Sequence, residues 1–338
     1  MEYSFSAIGF DLIKKHDVDE FSFGFKHRGT WWMVENLDKD SGLFDEDFEN
    51  KLIKIREWAI ASGFPAWHPP KKEGFFRHIV VRKSYHNDQF LINLVTTSTN
   101  LSEFKTQEFV DLLLHLFGKR VAGIIHTIND EIGDRVDALS GSSELIFGES
   151  KIVEVINGLS FEISMSSFFQ TNPKCAEYLY NKVLDYVGKV ENGVIMDLFC
   201  GTGTISQLLA KQTGNKIVGV DIVKSAIEDA IENAKRNKVD GISFHAADVG
   251  KFLYEFPEYQ GKINTIVLDP PRAGIAPKTL RKVMALNAEK IVYISCNPAT
   301  QARDTLALKE EGYHLTKLSF VDQFPHTAHI EAIGVFEK

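Results

Sequence analysis

Cys296 has the sequence setting of a reactive thiol. It follows an apolar run, Lys290–Ser295, whose length and content of Ile, Val and Tyr are typical of a buried strand, and Pro298 keeps that strand from continuing. The thiol is therefore predicted at the carboxyl end of a core strand, where open α/β sheets hold their ligands. It could act as a nucleophile there, or it could be a buried structural cysteine, which is about twice as common for a lone Cys.

A glycine loop upstream indicates a nucleoside-binding site. Residues Phe199–Thr204 separate a predicted strand from a predicted helix, and the two glycines among them allow a tight turn and a close approach to a ligand. Asp221 ends the next predicted strand, where a carboxylate would hydrogen-bond a ribose diol. A dinucleotide fingerprint needs a third glycine, but this chain has Ser206 there. The loop therefore favours an adenosine without phosphates, as in S-adenosylmethionine, and a NAD-dependent dehydrogenase ranks last among the candidates.

The elements around these residues alternate between strand and helix from Gly193 onward, which is typical of a doubly wound parallel sheet. We therefore predict an α/β fold class with a Rossmann-like catalytic domain over residues 166–338. The strands are predicted at Val194–Leu198, Ile217–Val220, Ile242–His245, Asn264–Leu268, Lys290–Ser295 and Thr327–Phe336, and the helices at Ile205–Gln212, Ser225–Asn237 and Pro277–Leu286.

The first half of the chain has the pattern of a smaller α+β domain over residues 1–165. Its strands are predicted at Glu2–Ser6, Phe21–Phe25, Thr30–Val34, Arg77–Lys83, Phe90–Thr97 and Val121–Thr127, and its helices at Glu46–Ser62 and Phe104–Phe117. We expect the second strand to pair with the third, and the fourth with the fifth, as hairpins. Because this half shows little chemistry of its own, we expect it to serve as a platform for the substrate.

The bulk composition is that of an ordinary globular protein. The 338 residues are enough for two cores, with 44% hydrophobic and 25% charged residues. No apolar run reaches the ~18 residues that span a bilayer, and three cysteines are too few for a disulfide framework, so we expect a cytoplasmic protein. The net charge of −8 favours a small-molecule substrate over a nucleic acid unless the cations are segregated, as they are at Lys71, Lys72, Arg77, Arg82 and Lys83.

Five motifs follow one another between residue 167 and the C-terminus. They are Ser167–Asn172, Asp197–Gly203, Asp269–Gly274, Ser295–Pro298 and Pro325–Glu331. Together they resemble the RNA uracil-5-methyltransferase family, whose members make 5-methyluridine in ribosomal and transfer RNA. The resemblance implies S-adenosyl-L-methionine as the methyl donor, RNA as the partner, and a target uridine that is extruded from its RNA.

The resemblance also implies roles for particular residues. Cys296 matches the nucleophile that adds to carbon 6 of uracil, and Glu331 matches the base that removes the proton from carbon 5. The methyl-donor contacts fall on Gln170, Phe199, Gly201, Thr204, Asp221, Asp248 and Asp269, and we expect Arg272 and Asn297 to contact the target base. Thr204 and Asp221 stand where many members have asparagine and glutamate, and both keep a hydrogen-bonding group.

Two parts of many family members have no counterpart here. An N-terminal RNA-binding barrel would precede Met1, and a cysteine of an iron–sulfur site would fall near Ser41–Leu43, where there is none. We expect neither an iron–sulfur cluster nor another metal, because His326 and His329 have no accompanying ligand set, and we expect a monomer. The chain is interpreted as either a truncated form or a natural short form.

Two other functions stay open. A methyltransferase acting on an exocyclic amine would also carry an acid-Pro-Pro signature, but that chemistry needs no cysteine, and Arg272 stands where the signature has an aromatic residue. A catalytically inactive RNA-binding or assembly factor would keep the fold without the reaction. Within the family, the motifs Asp269–Gly274 and Pro325–Glu331 favour 23S ribosomal RNA slightly over transfer RNA.

Overall fold

The computed structural model describes residues 1–133, 136, 141–167 and 169–338. The chain divides into two compact units, the first holding Met1–Val153 and Ile163–Ser166 and the second Glu154–Glu162 and Ser167–Lys338. Compactness does not test whether either unit folds independently, so the domain boundary between residues 165 and 166 stays a prediction. Within the described ranges, none of the helices has both the length and the apolar character that crossing a bilayer requires.

The described part of the first unit is built around one sheet. Its strands are β1 (Glu2–Asp11), β2 (His16–Lys26), β3 (Val34–Asn36), β4 (Phe76–Ser84), β5 (Gln89–Thr96), β6 (Val121–Ile128) and β7 (Ser142–Gly148), and its helices are α1 (Glu46–Asn50), α2 (Leu52–Ala61) and α3 (Thr106–Phe117). The strand order is β2-β3-β1-β4-β5-β6-β7, and β5 and β6 are parallel. The core is rich in aromatic side chains, since Tyr3, Phe23, Phe48, Phe76 and Phe90 are all buried.

The predicted pairing of the second strand with the third is confirmed, since β2 and β3 are antiparallel neighbours, but the third strand is shorter and starts later than predicted. The long partner of β2 is β1, and the strand predicted at Thr30–Val34 is the three-residue β3 instead. The turn between β1 and β2 is stabilised by Asp11, whose Oδ1 accepts the N–H groups of Ile13 and Lys14 at 2.8 and 2.9 Å. This side-chain turn is what lets the two strands continue far beyond the predicted Glu2–Ser6.

The single helix predicted at Glu46–Ser62 is wrong, because the structure has two helices there. They are α1 and α2, which meet at Lys51. The N–H of Lys51 donates to the carbonyl of Phe48, three residues earlier, and this tighter turn ends α1. The apolar spacing is similar on both sides of the break, so the hydrophobic pattern alone could not reveal it.

Arg77 does not belong to the basic surface that the sequence suggested. Its side chain is fully buried, and its guanidinium lies over the Trp67 ring at 4.6 Å. It donates to the carbonyl oxygens of Asn129, Glu131 and Gly133 at 2.6–2.7 Å. Arg77 therefore stabilises the turn over residues 129–133, and its charge is not available to a ligand at the surface.

The second unit contains a seven-stranded sheet flanked by helices. Its elements follow a hairpin of β8 (Lys151–Ile156) and β9 (Leu159–Ser164), and they are α4 (Pro173–Val187), β10 (Val194–Leu198), α5 (Thr204–Thr213), β11 (Lys216–Asp221), α6 (Lys224–Asn237), β12 (Ile242–Ala246), α7 (Phe252–Glu255), β13 (Ile263–Leu268), α8 (Pro277–Met284), β14 (Lys290–Ser295), α9 (Pro298–Glu310), β15 (His314–Val321) and β16 (Glu331–Glu337).

The order of these strands confirms the predicted α/β, doubly wound fold class. The sheet runs β12-β11-β10-β13-β14-β16-β15, and β10 to β14 are parallel. The chain leaves β10 for β11 on one side and returns to β13 on the other, which opens a crevice at the carboxyl ends of the strands. β16 is antiparallel to β14 and therefore begins at the same edge.

The predicted C-terminal strand Thr327–Phe336 starts too early. β16 begins at Glu331, because Thr327 closes a turn in which its N–H and its Oγ1 donate to the carbonyl of Phe324 at 3.1 and 2.7 Å. α9 and β15 were not predicted. β15 is an edge strand whose side chains are mostly exposed, so its sequence lacks the apolar alternation of a half-buried strand.

Candidate active site

The carboxyl edge of the second sheet gathers most of the residues that the sequence singled out. Phe199 follows β10, Asp221 ends β11, Asp269 follows β13 and Cys296 follows β14. Glu331 is the first residue of β16, which starts at this edge because it runs antiparallel to β14. The fold therefore places a thiol, three carboxyl groups and a glycine loop along one edge.

The loop after β10 turns sharply at Phe199. This residue has a φ of +65°, in the left-handed region that side chains rarely adopt. The N–H groups of Phe199 and Cys200 both donate to the carbonyl of Val220, at 2.8 and 3.1 Å. These two bonds hold the loop against the end of β11, and Thr204 then begins α5 as a buried residue.

The two glycines of the loop differ in whether the surrounding structure leaves room for a side chain. Gly203 has a φ of +75°, and a Cβ there would lie 2.7 Å from Phe244 and 2.9 Å from Ala230, so the position has no room for a side chain. Gly201 has a φ of +52°, but a Cβ there would meet no atom within 4 Å. Gly203 is therefore needed for packing, whereas Gly201 borders open space that a ligand could fill.

Both carboxylate oxygens of Asp221 accept backbone N–H groups, and one of these comes from the glycine loop. Oδ2 accepts the N–H of Gly201 at 3.0 Å, and Oδ1 accepts the N–H of Val223 at 2.9 Å. A carboxylate has about four acceptor positions, so each oxygen can still accept one hydrogen bond. Two neighbouring acceptors beside a glycine loop fit the two hydroxyl groups of a ribose, as in S-adenosyl-L-methionine.

Ser206, which replaces the third glycine of a dinucleotide site, has a structural partner. Its Oγ donates to Asp197 Oδ2 at 2.6 Å. Burial raises the pKa of Asp197 to about 7, although the bond from Ser206 opposes the rise. Asp197 Oδ1 is buried and has no hydrogen-bond partner in the described part of the chain. The sequence motif contains Asp197, but its burial was not predictable from the motif.

Gln170 is buried in the segment before α4, where two further side chains hold it. Gln323 Nε2 donates to Gln170 Oε1 at 3.4 Å, and the Tyr180 hydroxyl in α4 is within hydrogen-bonding reach of Gln170. Burial raises the pKa of Tyr180 far above its usual range, so the hydroxyl stays protonated. Neither Tyr180 nor Gln323 was predicted: the first has the spacing of a core residue on α4, and only the nearby Pro325 motif could have drawn attention to the second. Phe168, which belongs with Gln170 to the motif Ser167–Asn172, lies outside the described residues.

Cys296 is half-buried between the end of β14 and the start of α9. On either side of it, Asn297 N–H donates to Ser295 Oγ at 3.1 Å, and that Oγ donates to the Asn297 carbonyl at 3.0 Å. Asn297 Oδ1 caps α9 by accepting the Ala299 N–H at 3.2 Å, and its Nδ2 donates to the Arg272 carbonyl at 3.2 Å. Asn297 therefore fixes the backbone around the thiol, and its contact with a target base stays a prediction.

Glu331 lies at the same edge of the sheet as Cys296. Ser295 and Ala332 are the last pair of the β14–β16 ladder; Cys296 follows Ser295 beyond the end of β14, and Glu331 directly precedes Ala332. The two side chains lie close enough for the charge of Glu331 to raise the pKa of the Cys296 thiol. Burial raises the pKa of Glu331 to about 7, although the charge of Arg272 opposes the rise. A carboxyl group with this pKa can take up or release a proton near neutral pH.

Asp269 and Arg272 complete the charges around the thiol. Burial and the nearby Glu331 raise the pKa of Asp269 to about 8. Burial also raises the pKa of the Cys296 thiol, and the carboxylates of Glu331 and Asp269 add to this, whereas Arg272, within hydrogen-bonding reach of the thiol, lowers that pKa. The exposed guanidinium of Arg272 is therefore the group that favours the reactive thiolate.

Asp248 lies on the Asp221 side of the same carboxyl edge, where the N–H of the preceding Ala247 donates to the Asp221 carbonyl at 2.9 Å. Asp248 is exposed, two positions beyond the end of the edge strand β12, and its carbonyl accepts the Lys251 N–H at 2.8 Å. His326 and His329 are also exposed. Within the described ranges, no three His, Cys, Asp or Glu side chains form a group that could hold a metal ion.

Comparison with known proteins gives matches over the whole chain. A sequence model of the tRNA (uracil-5-)-methyltransferase family matches residues 145–338. An uncharacterized RNA methyltransferase of Clostridium acetobutylicum is 38% identical, and the match covers 100% of this chain and 71% of the relative. A second uncharacterized RNA methyltransferase, from Caldanaerobacter subterraneus, is 37% identical, and the match covers 100% of this chain and 72% of the relative.

A solved structure has the same fold over almost the entire chain. It is the tRNA (uracil-54, C5)-methyltransferase of Pyrococcus abyssi in complex with S-adenosyl-L-homocysteine. The two chains superpose with a TM-score of 0.75 at 28% identity, and the match covers 99% of this chain and 74% of the archaeal one.

Proposed function

The chain belongs to the tRNA (uracil-5-)-methyltransferase family, and from that premise we propose that it methylates carbon 5 of a uridine in RNA through a covalent adduct with Cys296. Members of this family are RNA methyltransferases that use S-adenosyl-L-methionine. The observation that supports the proposal is the pairing of β14 with the antiparallel β16, which brings the buried carboxyl group of Glu331 to the edge where Cys296 lies, close enough to raise the pKa of the thiol.

The reaction needs a nucleophile and a base on the same face of the uracil. The Cys296 thiolate adds to carbon 6, and the electron pair of the carbon 5–carbon 6 double bond moves towards carbon 5. When bound, S-adenosyl-L-methionine supplies the methyl group that carbon 5 receives. Glu331 then takes the proton from carbon 5, the double bond forms again, and the bond between carbon 6 and sulfur breaks to return the thiolate.

Arg272 assists by opposing the rise in the pKa of the Cys296 thiol, which favours the thiolate. Its guanidinium is within hydrogen-bonding reach of Cys296 and offsets the two carboxyl groups that disfavour the thiolate. The backbone carbonyl of Arg272 is held by Asn297, so the loop that carries the cation is tied to the residue after the nucleophile. We assign both residues to the target-base side of the site.

The methyl donor is assigned to the glycine loop and its neighbours. The open space beside Gly201 and the two free acceptor positions on Asp221 support an adenosine site there. The proposed contact residues are Gln170, Phe199, Gly201, Thr204, Asp221, Asp248 and Asp269. Asp248 has the weakest structural support, because it is exposed at the end of the edge strand.

The substrate RNA is a separate question from the reaction. The sequence motifs favour 23S ribosomal RNA, whereas the similar enzyme of Pyrococcus abyssi acts, by its name, on uracil 54 of transfer RNA. We propose ribosomal RNA first and transfer RNA second. Transfer of a labelled methyl group to unmodified 23S transcripts but not to tRNA transcripts would support the first, and the reverse result would support the second.

A trapping assay tests the reaction itself. The protein would be incubated with RNA containing 5-fluorouridine and S-adenosyl-L-methionine and then run on a denaturing gel. Fluorine on carbon 5 cannot leave as a proton, so the covalent adduct should persist and shift the band. Cys296→Ala should abolish the shift, whereas Cys175→Ala, which removes another free and half-buried cysteine, should keep it.

Two outcomes would point to the other functions. Methylation of RNA that survives in Cys296→Ala would indicate an exocyclic-amine methyltransferase, because that reaction needs no thiol. Binding of RNA without binding of S-adenosyl-L-methionine and without an adduct would indicate an inactive RNA-binding or assembly factor, and the proposal would then be wrong.

A further inference from the structure

Gln323 joins two segments on which the proposed site depends. It is fully buried in the connection between β15 and β16, shortly before Glu331. Its Nε2 donates to the Asn172 carbonyl at 3.0 Å, and Asn172 Nδ2 donates back to the Gln323 carbonyl at 3.3 Å. Asn172 Oδ1 also caps α4 by accepting the Cys175 N–H at 3.2 Å. The reciprocal pair therefore ties the connection to a fixed helix end.

The carbonyl of Asn172 determines how the Gln323 carboxamide is turned. A backbone carbonyl only accepts hydrogen bonds, so Gln323 must direct its NH₂ group towards it. The same NH₂ group donates to Gln170 Oε1 at 3.4 Å. Gln323 Oε1 is left buried, with no hydrogen-bond partner among the described residues. A buried acceptor without a partner needs an explanation. Both partners of Gln323, the Asn172 carbonyl and Gln170 Oε1, are acceptors. A flipped carboxamide would therefore place the Gln323 oxygen against their oxygens.

The constraint passes from Gln323 to Gln170. Because Gln170 Oε1 accepts from Gln323, the NH₂ group of Gln170 must point the other way, and its hydrogen bond to the Tyr180 hydroxyl opposes the rise in the Tyr180 pKa that burial causes. An NH₂ group has two hydrogen atoms, and Tyr180 takes only one. Gln170 thus offers one oriented donor, and a ligand that uses it must present an acceptor oxygen.

On the basis of the proposed function, we propose that Gln323 is a positioning residue that holds the Gln170 carboxamide with its NH₂ group directed at an oxygen of the bound ligand. The oxygen belongs either to the methyl donor or to the target uracil. The chain of contacts begins at a backbone carbonyl, which cannot flip, and this is why it can set the orientation of a side chain two steps away.

Gln323→Met tests the proposal, because it keeps the side-chain length and removes both hydrogen-bonding groups. If Gln170 faces the donor, the dissociation constant of S-adenosyl-L-homocysteine in calorimetry should rise about five- to tenfold, as for one lost hydrogen bond. If Gln170 faces the uracil, the KM for RNA should rise by that factor instead. The melting temperature should change little, because the variant also removes a buried acceptor that has no partner.

A double mutant separates positioning from general support of the fold. In a Gln170→Ala background, Gln323→Met should cause no further loss, because it acts through Gln170. Equal losses in both backgrounds, or no loss in the wild-type background, would overturn the proposal. Gln301→Met is the matched control: Gln301 is also buried, and its Nε2 donates to the carbonyls of Tyr293 and Ala332 at 2.8 and 3.5 Å.

Gln301→Met should lower the melting temperature but should leave the affinity for S-adenosyl-L-homocysteine and the KM for RNA unchanged. A wild-type protein that binds no S-adenosyl-L-homocysteine and forms no adduct would show that the proposed function is wrong, and this proposal with it. A wild-type protein that binds the ligand, together with a Gln323→Met variant that binds it equally well, would show that only the positioning role is wrong.

Discussion

Glu331 begins β16 and Cys296 follows β14, one residue beyond the last pair of the β14–β16 ladder, Ser295 with Ala332, and the carboxyl group raises the pKa of the thiol. In a sheet that is parallel from β10 to β14, only a strand of opposite direction can bring its first residue to the carboxyl edge. The antiparallel β16 does this, so the buried carboxyl group at its start reaches the edge that holds the thiol without any long loop to position it. A carboxyl group carried by a strand is held more rigidly than one carried by a connection, which suits the proposed role of Glu331 as the base.

Replacing Glu331 with glutamine should separate the two halves of the reaction. Glu331→Gln keeps the shape of the side chain and removes the base, so Cys296 can still add to the uracil, but the carbon 5 proton cannot leave. We expect turnover to fall by at least about 100-fold and a covalent adduct to accumulate with ordinary uridine RNA on a denaturing gel. Normal turnover, or loss of activity with no adduct, would exclude Glu331 as the base.

The rate should depend on pH through the same two groups. Burial holds the pKa of Glu331 near 7 and raises that of Cys296, and both groups must be ionised to act. The rate should therefore rise as the pH increases through about 7. Arg272→Met removes the cation that lowers both pKa values, so this limb should move to higher pH in a single-turnover pH profile. Lys278→Met, which removes an exposed cation from α8, should leave the profile in place.

Asp269 should make the stability depend on pH. Its pKa is about 8 in the folded protein and 3.8 in the reference state, so the folded state binds more protons between these values and loses stability as the pH rises through them. Asp269→Asn mimics the protonated group. Its melting temperature should exceed that of the wild type at pH 8 and match it near pH 4. Each kcal/mol of difference in the free energy of unfolding should shift the melting temperature by about 2–4 °C. An equal difference at both pH values would mean that burial of the carboxylate is not the cause.

The local parts of the site were predictable from the sequence. The end of an apolar run followed by proline placed Cys296 at a strand end, and the glycine loop and Asp221 followed from the switch between strand and helix. These inferences depend on neighbours within a few residues, where periodicity and turn chemistry are strong. Glu331 was predicted only from the resemblance, because the strand containing it was expected to begin at Thr327.

The unpredicted parts depend on contacts between distant segments. Gln323 and Asn172 are 151 residues apart, and neither sequence neighbourhood indicates the other. Tyr180 has the spacing of a core residue, so its approach to Gln170 appears only when α4 is packed on the sheet. The burial of Arg77 follows from carbonyl acceptors in a turn more than 50 positions away.

The two glycines of the loop give a matched pair of substitutions in which stability and binding should separate. Gly203→Ala adds a methyl group 2.7 Å from Phe244 and 2.9 Å from Ala230 at a positive φ, so we expect a clear drop in melting temperature. Its cost combines about 1–3 kcal/mol from overpacking with about 1–2 kcal/mol from the backbone. Gly201→Ala meets no atom within 4 Å, so only the backbone cost applies.

The Cβ of Gly201→Ala would nevertheless fill the space assigned to the donor, and the affinity for S-adenosyl-L-homocysteine should fall. Thermal unfolding and calorimetry on both variants would check this, and a Gly201→Ala protein that binds as tightly as the wild type would move the donor away from the loop.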